Sequence, residues 1–397
     1  MGIFMKEKFN ISMIHVLVIL FIISFFAYTY NFNKNHSYTV AEDTDIAATY
    51  VKGKVLEIVS EEIDEDRYYP GAYMGEQIVR FEILKGDYKG KIVEAKNYLQ
   101  TTNYMYLEAN DTVLVQITKL EDSDEVFFEI HQYYRQTGVY IMVGLFFLLV
   151  ILVGRKKGVK TILSLCFAMY TIFFFTMPLI YHGKSPILIS VLTVVVITLV
   201  TLYLLNGWSK KTFSAIISTA LGVVSAGIVY VIFSGLLNIT GYSTNEADSI
   251  LLLYLEFGLQ IKDLLFATIL ISSLGAVMDV GMSISSALSE MIDVKPDMSR
   301  KQLFESGMHI GQDMIGTMTN TLILAFTGGA FISMILLALS SMSLTRLFNS
   351  NYAVIEIIQG LAGTMAIVLT VPIASFVSAY LYTRKQEHLS ISQNEEN

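Results

Sequence analysis

Runs of about 20 apolar residues recur along this chain, and no other feature limits its fold as strongly. Hydrophobic residues make up 53% of its 397 residues and charged residues only 16%, so a soluble fold would lack the polar surface to cover its apolar side chains. Apolar runs of this length cross a bilayer as helices. The sequence therefore predicts a polytopic α-helical membrane protein with about eight transmembrane helices.

The first predicted span follows Lys6 and Lys8. We interpret residues 1–30 as an uncleaved signal anchor, because the apolar run is long for a signal peptide and ends without a clear small-residue cleavage site; a cleaved signal peptide is the alternative. Seven further spans are predicted in a membrane domain, residues 138–385, which a short tail follows at 386–397. These spans are 139–154, 160–181, 186–206, 212–237, 260–280, 314–341 and 353–382.

Residues 31–137 differ in composition from the rest of the chain. Five segments rich in β-branched and aromatic residues, separated by turn residues, predict strands: VKGKVLEIV, EQIVRFEIL, GKIVEAKNYL, DTVLVQIT and EVFFEIHQYY. The pattern predicts a small β-rich domain, either an OB-like antiparallel barrel or a sandwich. Its 11 basic and 20 acidic residues give a net charge of −9, which argues against an anionic polymer as ligand. The acidic cluster EEIDED, residues 61–66, is expected to be a solvated loop.

Basic residues in the short connections predict the orientation of the spans. With eight spans, Lys6 and Lys8, the RKKGVK and SKK segments and the basic residues near 300 and 384 all fall on one side of the membrane. That side is cytoplasmic by the positive-inside rule. Both termini are therefore expected in the cytoplasm, and residues 31–137 are expected to be extracytoplasmic.

Two connections between predicted spans are long. The outer one contains NITGYSTNEADS and the short apolar segment ILLLYLEFG, which indicates an interfacial or re-entrant piece. The inner one, residues 281–311, begins with SISSALSEMIDV, whose apolar residues share one helical face. This pattern predicts an amphipathic helix on the membrane surface or packed under the bundle. Further on, Ser299 and Gln302 form the pattern of a capping box that opens another helix.

Polar residues at membrane depth are the candidate site residues, because such groups are costly in hydrocarbon and mark pathways or sites. The two spans that flank the inner connection and the last span carry small and polar stripes, and these three helices are the expected core of any site. Helix packing is the alternative explanation for the small and hydroxyl residues. The transport or binding candidates are Asp279, Asp313, Asn320, Thr317, Thr321, His309, Gly363 and Thr364.

The sequence predicts no metal site, no cofactor and no catalytic residue. His309 and Asp313 are four residues apart on one helical face, but two ligands without a third and fourth do not define a metal site. Cys166 is the only cysteine, which excludes disulfides within the chain. An intramembrane aspartyl protease built on Asp279 and Asp313 is disfavoured, because neither aspartate has presenilin-type surroundings. The chain is therefore expected not to be an enzyme.

Two stretches, GAVMDVGMSISSALSEM and ESGMHIGQDMIGTMTNTLILAFTGG, resemble the signature region of the YibE/F-like family of bacterial membrane proteins. The segment VRFEILKGDYKGKIVEAKN extends the resemblance into the β-rich domain, and so over most of the chain. The resemblance implies a plasma membrane location of the Gram-positive type and the architecture described above. It transfers no activity and no site residue.

Transport is the leading functional hypothesis: a channel or secondary transporter for a small ion or solute. Asp279 and Asp313 would couple a cation or proton, and Thr317, Asn320 and Thr321 would supply neutral contacts. We find no internal repeat, which weakens the carrier version. The alternative is a non-enzymatic scaffold or sensor whose external β domain binds an envelope component. The expected partners are the lipid bilayer, a small ion or solute and an unidentified membrane or envelope protein; nucleic acid is not expected.

Overall fold

The computed structural model describes residues 2–35, 46–66, 73–100, 105–120, 125–239, 261–339 and 343–395. The chain divides into two compact units: a β unit, Ser37–Leu149, and a helical unit, Met1–His36 with Val150–Asn397. Most of the predicted outer connection, including the ILLLYLEFG segment, lies outside the described residues.

The β unit contains one antiparallel sheet that curls into a half-barrel. All five predicted strands are confirmed, and their order across the sheet is β3-β2-β1-β4-β5. The two edge strands, β3 and β5, approach each other, but no ladder joins them among the described residues. The strands are β1 Ile46–Glu65, β2 Tyr73–Ile83, β3 Ile92–Leu99, β4 Thr112–Leu120 and β5 Val126–Tyr133.

Strand β1 holds the two halves of the sheet together. Residues 46–54 pair with β4, and residues 53–65 pair with β2. Gly53 belongs to both ladders, and a β-carbon there would lie 2.7 Å from Cγ2 of Val115, so this crossing requires glycine. The expectation that residues 61–66 form a loop was wrong. Residues 61–65 continue β1 and pair with β2, because this pairing satisfies the hydrogen-bonding groups of their backbone.

The core of the β unit is apolar and lies on one face of the sheet. Buried side chains alternate along β2, as expected for a strand with one covered face. Two buried amides attach the segment before β4 to this core: the Gln77 side-chain oxygen accepts from the Leu107 backbone N–H at 3.1 Å, and Asn97 donates to the Met105 carbonyl at 2.7 Å. The core side chains are Val55, Val79, Phe81, Ile83, Met105, Leu107, Val113, Val115 and Ile117.

The remaining described elements are helical. Six stretches are long and apolar enough to cross a membrane, or seven when the bent pair α7 and α8, which meet at 60°, counts as one span. A π-helical turn, Ile172–Thr176, joins α2 to α3. The helices are α1 Gly2–Asn35, α2 Gln136–Thr171, α3 Met177–Tyr181, α4 Pro186–Asn206, α5 Lys210–Leu236, α6 Ile261–Val294, α7 Arg300–Gly329, α8 Phe331–Leu339, α9 Leu344–Phe348 and α10 Asn351–Glu395.

The predicted spans 139–154 and 160–181 fall within one stretch of 46 residues, Gln136–Tyr181. A straight helix of that length would measure about 69 Å, more than twice the hydrocarbon thickness of about 30 Å. The helix is broken at Arg155, where φ is 49° and ψ is −129°. A β-carbon on Gly158 would lie 2.1 Å from the carbonyl oxygen of Val150, so the chain reverses sharply here and only glycine fits.

Helix α6 is longer than the predicted span 260–280. The amphipathic segment SISSALSEMIDV, residues 283–294, which was predicted as a helix on the membrane surface or under the bundle, continues α6 to Val294. Ile284 and Leu288 are fully buried, so packing inside the bundle holds the continuation in place. The predicted capping box of α7 is confirmed: Ser299 Oγ accepts from the Gln302 backbone N–H at 3.2 Å, and the Gln302 side chain accepts from the Ser299 backbone N–H at 3.0 Å.

Helix α10 is central to the described bundle, because α5, α6 and α7 all pack against it. Glycines allow the closest approaches. A β-carbon on Gly222 of α5 would lie 2.2 Å from Thr370 Oγ1 and 2.7 Å from Val277 Cγ1, and one on Gly311 of α7 would lie 2.1 Å from Val371 Cγ1. Small residues commonly mark such close contacts between membrane helices, because association there depends on van der Waals packing.

Candidate membrane pathway on α6 and α7

Helix α7 carries a row of polar side chains on the face that points away from α10. Gly311 contacts α10, and Asp313, two residues further on, points about 200° away around the helix. All members of this row are exposed, so α10 covers none of them. We call this set the α7 row: His309, Asp313, Thr317, Asn320 and Thr321.

The members of the α7 row differ in whether their polar atoms have a hydrogen-bond partner. Thr317 Oγ1 donates to the Met314 carbonyl at 3.0 Å, and Thr321 Oγ1 donates to the Thr317 carbonyl at 2.8 Å. His309, Asp313 and Asn320 have no hydrogen-bond or ion-pair partner within the described part of the chain. These three side chains are therefore the members of the row that are available to a ligand, water or another protein.

Helix α6 carries a second exposed row of small and polar residues. Val277 and Gly281 face α5, and Asp279 lies between them in sequence and points to the opposite side. The carboxylate of Asp279 also has no partner among the residues that the structure describes. We call this set the α6 row: Thr268, Ser272, Gly275, Asp279 and Ser283.

The two rows lie at the same depth along the bundle. A β-carbon on Gly307 would lie 3.0 Å from Leu288, and one on Gly363 would lie 3.1 Å from Leu322 and 3.6 Å from Ser273. Both contacts give α6 and α7 the same antiparallel register. In that register Asp279 is level with Gly316, Asn320 with Gly275, and Asp313 with Met282.

The two candidates on α10 lie inside the bundle. Gly363 sits where α6, α7 and α10 meet, which brings together the three helices expected to form the core of a site. Thr364 is buried, and its hydroxyl donates to the Gly360 carbonyl at 2.7 Å. The structure therefore places Gly363 and Thr364 at a packed junction, whereas Asp279 and the α7 row are on outer faces.

A buried cluster of hydroxyl groups was not identified from the sequence. Ser214 of α5, Ser285 of α6 and Ser378 of α10 are fully buried, with Oγ–Oγ distances of 2.9, 3.1 and 3.3 Å. The Tyr382 hydroxyl donates to the Ser285 carbonyl at 2.8 Å. We call these four residues the hydroxyl cluster. Because each bond joins residues far apart in sequence, no local signal could have predicted it.

Three further hydroxyls in the bundle lack partners. Thr198 and Thr201 of α4 and Thr219 of α5 are side chains whose buried Oγ1 atoms accept or donate no hydrogen bond among the described residues. Buried polar atoms are normally paired with protein or ordered water.

The chemistry of the two rows suits protons and cations. Carboxylate, amide and hydroxyl oxygens are ligands for hard cations, and a carboxylate also carries a proton. No group of three or more His, Cys, Asp and Glu is placed to hold a metal ion in the described ranges.

Comparison with known proteins assigns the chain to a family. The family model described as YibE/F-like protein matches residues 142–384, more than half of the chain, and the match lies outside the five strands. Neither a curated protein nor a solved structure matches the chain. The matched residues include both polar rows and residues 351–384 of α10. On this match, the chain belongs to the YibE/F-like protein family.

Proposed function

We propose that this membrane protein is a channel or secondary transporter that moves a small ion or solute along the polar rows of α6 and α7. The observation that carries the proposal is the outward position of both rows at the same depth. Hydrocarbon offers no partner to Asp279, Asp313 or Asn320, so water or protein must lie against them in a bilayer.

Neighbouring copies of the chain supply the other wall of this path in our proposal. Copies in one membrane share their orientation, so a row keeps its depth from copy to copy. The α7 row of one copy therefore meets the α6 row of the next at matching levels, with Asn320 opposite Gly275. The small residues of the α6 row allow helix α7 of the neighbouring copy to approach α6 closely. A mass measurement in lipid nanodiscs that finds one chain per particle contradicts this assembly.

The proposed topology has eight spans, with both termini in the cytoplasm and the β unit outside the plasma membrane. The reversal at Arg155 supports two spans within Gln136–Tyr181. The two parts, residues 136–155 and 156–181, are then 20 and 26 residues long, and either length is enough to cross the bilayer. The basic residues beside Arg155 fall on the same side as the other basic connections.

The test is flux in proteoliposomes, measured for monovalent and divalent cations with and without a pH gradient. We expect the unaltered chain to conduct, and Asp279→Asn and Asp313→Asn each to lower the flux at least about tenfold, because the amide cannot carry the proton or charge. Glu94→Gln in the β unit is the matched carboxylate control and is expected to leave flux unchanged. Absence of flux from the unaltered chain under every gradient overturns the proposal.

The second candidate function is a non-enzymatic scaffold or sensor whose β unit binds an envelope component. The observation that favours it is an aromatic pair at the surface: Tyr73 is exposed, and its ring centroid lies 5.9 Å from that of Tyr106. The Tyr106 hydroxyl donates to Glu61 Oε2 at 3.4 Å, and this carboxylate raises the pKa of Tyr106. Sedimentation of the chain with isolated cell-wall polymer tests this function; equal sedimentation of Tyr73→Ala and the unaltered chain contradicts it.

A further inference from the structure

Four basic side chains lie close together where α2 reverses. The helix breaks at Arg155, and Lys156, Lys157 and Lys160 follow within the next five positions. The close packing of Gly158 against the preceding turn fixes the course of the backbone between them. We call the four residues Arg155, Lys156, Lys157 and Lys160 the basic reversal.

The positive charge of the basic reversal is not neutralised within the described part of the chain. All four side chains are exposed, and none has an ion-pair or hydrogen-bond partner among the residues that the structure describes. The sequence also supplies no carboxylate nearby, because no aspartate or glutamate occurs between Glu129 and Glu246. A cluster of like charges without counter-charges creates a local potential that attracts anions. The basic reversal is therefore available to an anion from outside the chain.

The residues next to the basic reversal are apolar and strongly exposed. Leu152 and Val153, directly before it, are 64% and 85% exposed, and Leu163, three residues after it, is 54% exposed. Such side chains cost no free energy against lipid tails. Basic side chains at the end of an apolar run extend to the level of the lipid headgroups. This surface therefore offers positive charge and apolar contact side by side.

A phospholipid with a net negative charge matches both parts of this surface. Lysine and arginine bind phosphate oxygens through charge-assisted hydrogen bonds. Clusters of four or more basic residues beside a membrane helix are typical of binding to anionic lipids. A soluble phosphate would contact only the basic residues, whereas the acyl chains of a lipid would also cover Val153 and Leu163.

We propose that the basic reversal is a binding site for the headgroup of an anionic phospholipid, whose acyl chains lie along the exposed apolar residues beside it. The site depends neither on transport along the α6 and α7 rows nor on the side of the membrane that the reversal faces. The occupant is a membrane lipid, and a soluble phosphate is the competing source that the experiment distinguishes.

The experiment titrates the full chain in detergent with dioleoylphosphatidylglycerol and counts the bound lipids by native mass spectrometry. Dioleoylphosphatidylcholine, with the same acyl chains and no net charge, is the matched lipid. We expect the first phosphatidylglycerol to bind at least about tenfold more tightly than the first phosphatidylcholine, because only its headgroup carries a net negative charge. Added glycerol phosphate, an anion without acyl chains, is expected to leave lipid binding unchanged.

Paired substitutions locate the site. Lys156→Gln together with Lys157→Gln is expected to lower the affinity for phosphatidylglycerol at least about tenfold and to leave that for phosphatidylcholine unchanged. Lys156→Arg together with Lys157→Arg keeps the charge, and we expect it to retain the affinity within about twofold. The matched control, Lys210→Gln together with Lys211→Gln, removes the same charge between α4 and α5 and is expected to change the affinity less than about twofold.

Four results overturn the proposal: equal affinity for the two lipids, unchanged affinity in the glutamine pair at 156 and 157, an equal loss in the control pair, or binding by the unaltered chain that persists at high salt. Displacement of the lipid by glycerol phosphate would assign the reversal to a soluble phosphate and contradict the lipid as occupant. The fluorescence of Trp208, the only tryptophan, reports whether each variant keeps its fold. Because lipid binding is measured without a gradient, a negative flux experiment leaves this result unaffected.

Discussion

In the β unit, the charged side chains lie on the exposed surface and the core is apolar, whereas the helical unit exposes apolar side chains and buries hydroxyl groups beside its apolar core. Arg80 of β2 pairs with Glu57 and Glu94, and Lys96 pairs with Glu76 at 2.9 Å, all on the exposed face of the sheet. Phe81, on the other face of the same strand, is completely buried. This is the distribution of polar and apolar groups that water imposes.

The interior of the helical unit is rich in hydroxyl and small residues, and its outer faces are apolar. The hydroxyl cluster is buried, while Ile232 and Val153 are 59% and 85% exposed. Exposed isoleucine and valine side chains cost no free energy in hydrocarbon. The surface composition of each unit therefore suits a different solvent: water for the β unit and hydrocarbon for the helical unit. The α6 and α7 rows are the exception, because they expose polar groups at membrane depth.

The largest effect on the free energy of unfolding is expected from a substitution in the core of the β unit. It tests whether this unit depends on a buried apolar core more than the outer face of the helical unit depends on its apolar side chains. Phe81→Ala leaves a cavity in the β unit, and we expect it to lower the free energy of unfolding by about 3–5 kcal/mol. Ile232→Ala on the outer face of α5 is expected to change it by less than about 0.5 kcal/mol. Hydrogen exchange of β2 and α5 peptides in the full chain measures both. Similar effects of the two substitutions would contradict the comparison.

An intermediate effect is expected where helices touch through glycine. Gly222→Ala places a methyl group against Thr370 and Val277, and we expect it to cost about 1–3 kcal/mol through overpacking. Gly235→Ala on the same helix meets no atom within 4 Å and is expected to be neutral or stabilising by up to about 1 kcal/mol. Unfolding followed by Trp208 fluorescence compares them. A stabilised Gly222→Ala protein would show that α5 does not need this close approach.

The smallest effect is expected in the hydroxyl cluster. Ser285→Ala removes two hydrogen bonds but leaves no charge unpaired, and we expect a loss of about 0.5–1.5 kcal/mol. Replacing Ser214, Ser285 and Ser378 together by alanine is expected to cost less than three times that loss, because no unpaired partner then remains. The same fluorescence assay measures both proteins. Fully additive losses would show that the hydroxyls act independently.

Much of this architecture was predictable from local sequence. The five strands follow from alternating β-branched and aromatic residues between turns, and α4 coincides with the predicted span 186–206 because a proline opens its apolar run. The capping box of α7 was also predictable, because it involves only Ser299 and Gln302, three residues apart in sequence. The eight-span count and the orientation stay predictions, supported by the break at Arg155.

The parts that could not be predicted depend on contacts distant in sequence. The amphipathic pattern of residues 283–294 is the same for a helix on a membrane surface and for a helix packed against other helices. The burial of Ile284 could therefore not be predicted from this pattern. The outward position of Asp279 depends likewise on which neighbours cover the rest of α6.

The double pairing of β1 has a consequence for the order in which the sheet assembles. Strands β1, β2 and β3 follow one another in the chain and form a local meander, whereas the first residue of β1, Ile46, pairs with Leu120. Contacts of low sequence separation form first, because less chain entropy is lost in making them. During synthesis the first three strands therefore assemble early, and the first half of β1 waits for β4, which emerges only shortly before α2.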